Sequence, residues 1–368
     1  MKLVYANDCK SVYDKLFLDW FTKYYDVSIV TFNKNPTELT DEEYEVVILK
    51  DVIPETSLHP FEGARKELLS HVRAKTFKKA IKKIKPKFII GNFAPTYGYY
   101  SAYSNFHPNI LFVWGSDVLV YPFKYKFLNF LIKYAIAKAD AILVDSNVQF
   151  NATLRLGADK SKIVKFPWFN NKEFSRNEQK RKLVRESFGL GDEDILVVSA
   201  RNNKPIYDLK TLIKVIPKIG KKYSNVHFVF IGEGTEVFTR YKLPNTICLG
   251  KVKHNVVNDV FSASDIYVST SLSDGASASL LEAMCCKLVP VVTKIQGNEE
   301  WITDCFNGSL FCKSDSFKLY ECLEALIVNV SMRECVSKFA YETTRKIDWE
   351  SNMTMLCEII EGKIEKVE

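Results

Sequence analysis

Short runs of β-branched and aromatic residues alternate with helical patterns along the chain. In the first half these runs predict seven strands, at Lys2–Ala6, Val27–Thr31, Val46–Lys50, Phe88–Gly91, Ile110–Trp114, Ala141–Asp145 and Ile163–Phe166. The second half repeats the scheme with five runs, at Ile195–Ala200, His227–Ile231, Thr246–Leu249, Ile266–Thr270 and Val289–Thr293. Strands that alternate with helices form parallel sheets covered on both faces. The pattern predicts an α/β protein with two Rossmann-like domains facing across a cleft, where ligands bind at the carboxyl ends of the strands.

The boundary between the two domains is predicted at Pro167. A length of 368 residues favours two domains. Pro167 interrupts regular structure, and a polar, charged stretch follows from Asn170 to Arg185. We therefore expect a first domain at residues 1–167 and a second at residues 168–348.

Composition limits the class of protein. Hydrophobic residues make up 47% of the chain, which is enough for two cores. No apolar run approaches the 18 residues that a membrane-spanning helix needs, and the first residues lack the apolar core of a signal peptide. Nine cysteines without a CxxC pair favour reduced thiols. We expect a cytoplasmic protein. The charge distribution described next adds the possibility of a peripheral position at the inner face of the membrane.

The net charge is concentrated in the first half. Residues 1–165 hold 24 Lys and Arg against 17 Asp and Glu, whereas residues 166–368 hold 27 of each. The segment Arg65–Lys87 alone has ten basic residues and one acid. A second segment, 122–140, combines lysines with an aromatic helical face. Both fit an anionic membrane surface, and an ordinary core-facing helix with a solvated rim explains the second equally well. Nucleic acid is not expected as a partner, because no recognisable binding module is present.

The most informative segment is SLSDGASASLLEAMCCKLVPVVTKIQGNEEWI, residues 271–302. Small residues after Asp274 open a helix, where a ligand can approach the backbone and an anion is favoured. Glu282 is expected inside that helix, about two turns from its anion-binding end. A phosphate site at the helix start and a hydroxyl acceptor farther along form the layout of a nucleotide-sugar site.

This segment resembles the donor-binding signature of the retaining glycosyltransferases of family 4, an acidic-x7-Glu motif followed by Pro-Val-Val. The resemblance implies a GT-B fold, a nucleotide-sugar donor, retention of the anomeric configuration, and no cofactor or metal. It places Glu282 on the nucleotide ribose, Asp274 on the donor sugar, and the backbone of Gly275, Ala276 and Ser277 against the diphosphate. It also implies that the last helix, about residues 349–365, packs back on the first domain.

Other elements of the second half fit the same resemblance. Arg201 and Lys204 follow a strand in VVSARNNKPIYDL, and two cations there would stabilise the charge of a leaving diphosphate. Gly232 and Gly234 match the family's GxG turn, and Leu249 and Lys251 flank a glycine in the loop that reads the nucleotide base. Each of these pairs also fits a plain surface position or turn.

The first domain matches less well. Many relatives carry a His-Gly-x-Asp pattern where this chain has Trp114, Gly115, Ser116 and Asp117. A Trp exchanges no protons but stacks on a sugar. Asp117 is predicted either as an acceptor-hydroxyl ligand or base, or as a helix N-cap. Asn7 stands where relatives have a Gly-Gly loop, so Trp114 and Asn7 are the predicted acceptor-side residues.

The sequence therefore predicts a hexosyltransferase-like enzyme that moves a sugar from a nucleotide-sugar to a glycan or lipid-linked acceptor. Arg201, Lys204, Asp274 and Asp117 are its predicted catalytic residues. One alternative is another GT-B enzyme, an epimerase or a phosphorylase. The other is a catalytically inactive, glycosyltransferase-like subunit that binds a partner, which the missing histidine favours.

Overall fold

The computed structural model describes residues 1–34, 44–50 and 62–365. The chain divides into two compact units, Met1–Pro167 with Glu350–Glu368, and Trp168–Trp349. Each unit has its own parallel sheet and its own hydrophobic core.

The first unit is built on a seven-stranded parallel sheet with the order β3-β2-β1-β4-β5-β6-β7. Its strands are β1 Lys2–Ala6, β2 Asp26–Thr31, β3 Glu45–Ile48, β4 Phe88–Asn92, β5 Asn109–Phe112, β6 Ala141–Val144 and β7 Ile163–Lys165. All seven predicted strands are present. The fifth ends two residues earlier than predicted, so Trp114 lies in the loop beyond β5 and not in the strand.

The second unit has a six-stranded parallel sheet with the order β10-β9-β8-β11-β12-β13. Its strands are β8 Ile195–Ala200, β9 Val226–Ile231, β10 Thr246–Gly250, β11 Ile266–Ser269, β12 Val289–Thr293 and β13 Ser309–Phe311. The sequence pattern predicts the first five and misses β13. Three residues are too few to show a periodicity, and β13 exists because it pairs with β12 at the sheet edge. The prediction of two Rossmann-like domains is confirmed.

Helices connect the strands in both units. Those of the first unit are α1 Val12–Phe21, α2 Glu62–Ile84, α3 Tyr99–Ser104, α4 Ser116–Leu119, α5 Tyr121–Lys124, α6 Lys126–Lys138, α7 Asn147–Arg155 and the last helix of the chain, Trp349–Glu365. A π-helix, Phe93–Gly98, follows β4. Those of the second unit are α8 Glu178–Ser187, α9 Leu209–Lys222, α10 His254–Ala263, α11 Ala278–Cys285, α12 Gln296–Glu299, α13 Ser316–Val328 and α14 Val330–Thr344. The last helix is α15.

Local sequence explains where these helices begin and which face they bury. Ser11 caps α1, and the Asp14 carboxylate accepts a hydrogen bond from the Ser11 backbone N–H, which completes a capping box. In α9, Leu212, Val215 and Ile219 recur at helical spacing and are buried. Lysines cover the opposite face of that helix.

Helix α15 packs on the first unit. Met353, Leu356 and Ile360 form a buried stripe along it. Its Asn352 amide donates to the Pro167 carbonyl at 2.8 Å. Tyr25 of the loop before β2 donates to the Glu361 carboxylate at 3.2 Å. The end of the chain thus belongs to the unit that contains its beginning.

In each unit the strand order identifies a switch point, where the direction of the strand order reverses. In both sheets the order reverses at a central pair, between β1 and β4 in the first unit and between β8 and β11 in the second. The connections on either side of such a switch point run to opposite faces, which leaves a crevice at the carboxyl ends of the two strands. Asn7, Arg201 and Asp274 follow three of these strands, whereas Trp114 follows β5 and Gly232 follows β9.

Candidate functional site

In the second unit, Arg201 stands at the centre of a polar cluster beyond β8 and β11. Its guanidinium lies 2.7 Å from the Asp274 carboxylate and donates to the hydroxyls of Ser277 and Ser269. It also lies over the Tyr207 ring, 5.3 Å from the centroid. Only 10% of the Arg201 side chain is exposed. The structure therefore fixes the orientation of this cation at the switch point of the sheet.

The glycine turn after β9 is joined to the Arg201 loop. A Cβ at Gly232 would lie 2.5 Å from the Arg201 carbonyl oxygen, and φ at Gly232 is +138°, so only glycine fits there. Asn203 donates through its backbone to the Glu233 carbonyl at 2.8 Å and through its side chain to the Gly234 carbonyl at 3.2 Å. The turn therefore fixes the backbone that carries Arg201.

The predicted small-residue segment ends at the helix cap. Helix α11 begins at Ala278, and Ser277 is its N-cap. The Ser277 hydroxyl makes no capping bond to its own helix and accepts from Arg201. Gly275 and Ser277 are buried, whereas Ala276 is half-exposed. Arg201 and the positive end of α11 thus converge beside Asp274.

Gly297 supports this segment and was not predicted. It lies in α12, and a Cβ there would collide with the backbone carbonyl oxygens of Gly275 and Asp274. Only a glycine lets α12 approach the loop this closely. The residue lies in QGNEEWI, at the end of the segment 271–302, where no local signal distinguishes it from an ordinary turn glycine.

Glu282 lies in α11 but nearer the helix start than predicted. Because Asp274 to Ser277 are not helical, Glu282 is the fifth residue of α11 and lies about one turn from its beginning. The prediction of two turns was wrong, since it counted the loop as helix. Glu282 is 3% exposed.

The residue that sequence reasoning missed most clearly is His254. Its Nε2 lies 3.1 Å from Glu282 Oε1, and its Nδ1 lies 3.4 Å from Glu173 Oε1. The Phe174 ring meets the imidazole edge-on at 4.9 Å. Burial by itself lowers the pKa of His254, but hydrogen bonds to Glu173 and Glu282 raise it more, to a net pKa of about 9. His254 therefore carries a positive charge at neutral pH and balances Glu282.

We expect a pH-dependent contribution of His254 to stability. Below pH 6.5, the ordinary histidine pKa, both folded and unfolded chains hold the proton, and the ion pairs contribute fully. Between pH 6.5 and about 9 the unfolded chain loses the proton first, so the contribution declines. The difference in Tm between wild type and His254→Gln should shrink over this range in calorimetry. His71→Gln, a histidine of the first unit, is the control. A difference that does not change with pH would contradict a protonated imidazole.

The other residues predicted on the donor side lie in or beside the loops after β8 and β10. Lys204 is exposed and its backbone caps the 3₁₀ turn Pro205–Tyr207. Leu249 is half-buried at the end of β10, and Lys251 is exposed just beyond it. The Gly232 backbone donates to the Gly250 carbonyl at 2.8 Å, which ties this loop to the glycine turn.

In the first unit, Asp117 has a structural position. Its side chain is 0% exposed, and its carboxylate accepts from the backbone N–H groups of Ala94, Trp114 and Gly115 at 2.8 to 3.3 Å. Burial raises its pKa to about 6, against the lowering effect of these donors. The predicted role as acceptor ligand or base is corrected, because a carboxylate with no exposed surface does not contact a substrate. Asp117 instead joins the loop after β5 to the turn after β4.

Trp114 and Asn7, the two residues predicted on the acceptor side, line the same cavity. This cavity of about 330 Å³ lies beyond β1 and β4, and its walls are Asn7, Asp8, Lys10, Ser11, Asp14, Phe93, Thr96, Tyr97 and Trp114. It is a property of the first unit alone. We refer to it as the β1–β4 cavity.

A second cavity, of about 290 Å³, occupies the opposite edge of the other sheet. It reaches Ile195 and Val289, the first residues of β8 and β12, and so lies at their amino ends. The Arg201 cluster lies at the carboxyl ends. This cavity is therefore not part of the site.

Two negative findings concern the described residues. Across residues 1–34, 44–50 and 62–365, no three His, Cys, Asp or Glu side chains are grouped so that they could hold a metal ion. In the same ranges, no helix is both long and apolar enough to span a membrane.

Comparisons with known proteins identify the family of each unit. A family profile described as glycosyl transferases group 1 matches residues 180–343, and one described as glycosyl transferase 4-like matches residues 2–146. An Arabidopsis thaliana protein, one of the subunits of phosphatidylinositol N-acetylglucosaminyltransferase, is 29% identical over 185 residues, or 48% of this chain. The Bacillus subtilis protein named as teichuronic acid biosynthesis glycosyltransferase TuaC is 26% identical over 193 residues, or 52% of the chain. The chain covers 40% and 48% of these two relatives, less than half of each.

Solved structures support the fold. HepE from Anabaena in complex with UDP-glucose has a TM-score of 0.79 at 16% identity, over 98% of this chain and all of that one. WaaG, a glycosyltransferase involved in lipopolysaccharide biosynthesis, has a TM-score of 0.77 at 12% identity, over 98% of this chain and all of its own. Identities this low establish the fold alone. These structures show the GT-B fold, and the two family profiles show that the chain belongs to the glycosyltransferases, with a group 1 match at residues 180–343.

Proposed function

We propose that this protein transfers a sugar from a nucleotide-sugar donor to a hydroxyl of a glycan or lipid-linked acceptor, with retention of the anomeric configuration. The observation that carries the proposal is the Arg201 cluster. A cation, a helix N-terminus and a carboxylate meet at the switch point of the second sheet. That combination suits a diphosphate linked to a sugar.

Each residue of the cluster has a role in this proposal. Arg201 and the first turn of α11 bind the diphosphate, and Lys204 adds a second positive charge. Glu282 accepts hydrogen bonds from the ribose hydroxyls, with its carboxylate held by His254. Asp274 binds hydroxyls of the donor sugar. The loops at Gly232–Gly234 and Leu249–Lys251 enclose the nucleoside.

The reaction balances without a protein base. The bond between the anomeric carbon and the diphosphate oxygen breaks, and the electron pair stays on the diphosphate. The acceptor oxygen bonds to the anomeric carbon on the same face, and its proton passes to the departing phosphate oxygen. Arg201 and α11 stabilise the negative charge that grows on the diphosphate. This route tolerates Trp114 in place of the family's histidine.

The donor nucleotide is proposed to be a uridine diphosphate. HepE, which shares the fold, was solved with UDP-glucose and with UDP. UDP is therefore the first probe for this chain. The identity of 16% leaves the donor sugar open. Independence of metal is also a proposal, and the reaction should persist in a chelator.

The alternative function is an inactive subunit that binds a partner. Trp114 at the histidine position is the observation that favours it. Purified full-length protein should be incubated with a panel of UDP-sugars, and release of UDP should be followed. If wild type hydrolyses at least one donor and Arg201→Ala does not, the result supports the proposed enzymatic function. UDP binding without hydrolysis of any donor supports the inactive form, and absence of UDP binding would reject a uridine nucleotide as the ligand of the Arg201 cluster.

A peripheral membrane position is proposed from the surface of the first unit. Helix α2 buries Ala74, Phe77 and Ile81 and exposes lysines on its other side. The side chains of residues 62–68, which include Arg65, lie outside the described part. Around α5 and α6, Phe123 and Phe130 are 75% and 62% exposed. Leu131 of α6 is buried, so the aromatic face predicted in segment 122–140 belongs partly to the core of the first unit. Exposed aromatics among lysines suit an anionic interface.

We expect the protein to co-sediment with phosphatidylcholine–phosphatidylglycerol vesicles at low salt and to be released by added salt. Each lysine near the surface contributes about 1 kcal/mol. Replacing four exposed lysines of α2, Lys75, Lys79, Lys82 and Lys83, with Gln should therefore abolish most of the binding. The matched control replaces Lys210, Lys214, Lys218 and Lys221 of α9, which are equally exposed. Equal loss in both variants, or no sedimentation of wild type, would contradict a membrane-binding face.

A further inference from the structure

The proposed function makes no use of the cavity at the amino ends of β8 and β12. This cavity lies within the second unit alone, and residues of α8 and α14 complete its wall. Its volume of about 290 Å³ is close to the lower end of the range for small-molecule sites. We refer to it as the amino-end cavity. Its lining includes both basic and acidic side chains, so the ligand that it suits depends on which charges the protein already pairs.

The Asp265 carboxylate is fully used by the protein. Its Oδ1 accepts from Arg181 Nη2 at 2.8 Å, and its Oδ2 accepts from the Leu196 backbone N–H at 2.9 Å. The same Oδ2 lies 3.4 Å from Arg185 Nη1. One carboxylate therefore serves two guanidinium groups and is not offered to a ligand.

The positive charge around Arg181 exceeds what Asp265 compensates. The Arg181 side chain is 16% exposed, and its Nη1 donates to the Ala263 carbonyl at 2.7 Å. Burial lowers the pKa of this guanidinium. Asp265 opposes that effect, and the charges of Arg176 and Arg185 lower the pKa further. Because a carbonyl accepts a hydrogen bond without cancelling a charge, an anion beside these arginines would be stabilised.

Arg176 and Arg333 add two guanidinium groups to the amino-end cavity. The Nε of Arg176 donates to the Glu178 carboxylate at 2.8 Å. The Nη1 of Arg333 donates to the carbonyls of Leu326 and Ile327 at 2.6 and 3.3 Å. Over the described ranges, no protein partner is found for the Nη atoms of Arg176 or for Nε and Nη2 of Arg333. Each of the two therefore keeps N–H groups for an acceptor in the cavity.

The acidic residues of the lining limit the kind of anion. Asp194 accepts from the Gly191 backbone N–H at 2.7 Å, and its other oxygen lies 3.6 Å from His227 Nε2. The other acids of the lining are exposed to solvent, which screens their charge: Asp192, Glu193 and Glu334. They disfavour a polyanion, whose charges would extend among them, more than a single anionic group held by the arginines.

We infer that the amino-end cavity binds one phosphate group of a small molecule, held by the guanidinium groups of Arg176, Arg181 and Arg333. A phosphate monoester carries a charge of about −1.5 to −2 at pH 7 and has three acceptor oxygens. That matches arginines contributed by α8, by the loop before it and by α14. A carboxylate has fewer oxygens and less charge, so it satisfies fewer of these donors.

This inference goes beyond the proposed function and does not depend on it. The amino-end cavity and the Arg201 cluster lie at opposite ends of the strands of one sheet. A phosphate group in the cavity therefore does not compete with a nucleotide at Arg201.

The test is titration calorimetry on the full chain with the Arg201 cluster filled by UDP. The probes are inorganic phosphate, glycerol 1-phosphate and acetate, in a buffer free of phosphate and sulfate. We expect at least one phosphate probe to bind, and acetate to bind roughly tenfold more weakly or not at all. The same titrations on Arg201→Ala without UDP should give the same Kd for the phosphate probe. This second arm removes the cation of the other anion site and makes the result independent of UDP.

Arg176→Gln should weaken the phosphate probe roughly tenfold or more, the expected effect of losing a charge-assisted hydrogen bond. This variant should fold, because the hydrogen bond that it loses joins Arg176 to an exposed glutamate at the surface. Arg333→Gln is the second variant and should have a similar effect. The matched control is Arg240→Gln, an exposed arginine of the same unit outside the cavity, which should bind phosphate as wild type does. Circular dichroism checks that each variant is folded.

Every outcome decides for or against the inference. If the phosphate probes bind neither the UDP-filled wild type nor Arg201→Ala, or if folded Arg176→Gln binds them as tightly as Arg240→Gln does, the inference is wrong. Acetate that binds as tightly as phosphate would also overturn it. Tighter binding of glycerol 1-phosphate than of inorganic phosphate identifies an ester as the ligand, and the reverse identifies free phosphate. A failure of UDP to bind would count against the proposed function alone, because the Arg201→Ala titration still tests the cavity.

Discussion

Arg201→Ala should lower kcat for donor turnover by about 10²–10³-fold, the usual cost of removing one preorganised donor from a developing anion. The KM for the donor should rise much less, because negative charge on the diphosphate grows as its bond to the sugar breaks. Steady-state kinetics with the active UDP-sugar measure both constants. The effect is expected to be large because Arg201 is 10% exposed and already oriented by Asp274 and Ser277.

Two further variants separate charge from folding. Arg201→Lys keeps the positive charge but loses the two-pronged geometry, so its kcat should fall between those of wild type and Arg201→Ala. Arg240→Ala removes an exposed arginine of the same unit and should behave as wild type. An Arg201→Ala enzyme with unchanged kcat and a raised KM would assign Arg201 to ground-state binding alone.

Glu282→Ala should weaken UDP binding by about 10–150-fold, since a hydrogen bond to a charged group contributes about 1.5–3 kcal/mol. Titration calorimetry on the full chain measures the Kd. Glu282→Gln keeps the shape of the side chain and should weaken binding less. The buried position of Glu282 beside His254 makes the carboxylate a fixed acceptor, so little entropy is lost when the ribose binds.

A deoxynucleotide tests whether Glu282 acts through the ribose. 2′,3′-Dideoxy-UDP lacks both hydroxyls, so wild type should bind it more weakly than UDP, and Glu282→Ala should weaken it no further. This is a double-mutant cycle between the protein and the ligand. Equal losses for both nucleotides would mean that Glu282 supports the fold of α11 and does not touch the ribose.

The fold was largely predictable because its signals are local. Period and residue type within runs of four to six residues predicted every strand except β13, and their alternation with helices predicted parallel sheets. The segment 271–302 was also predicted to contain a loop that leads into a helix, because its residues follow one another along the chain. Even there the sequence placed Glu282 one helical turn too far from the start of α11.

The partners of the site residues were not predictable in the same way. Glu282 and His254 are 28 positions apart, and Arg201 and Ser277 are 76 apart. Nothing in the local sequence around His254 distinguishes it from a surface histidine at the start of a helix. Asn92, which orients Trp114 from 22 positions away, gave no signal for the same reason.

The two parallel sheets, the division near Pro167 and the segment 271–302 could be recognised from the sequence, because periodicity and residues that interrupt regular structure are properties of neighbouring positions. The folded structure was needed to show that His254 balances Glu282, that Gly297 supports Asp274 and Gly275, and that Asp117 is a buried loop anchor. Those roles depend on which strands are adjacent in the sheet and on what burial does to a charge, and neither is encoded in any short stretch of the chain.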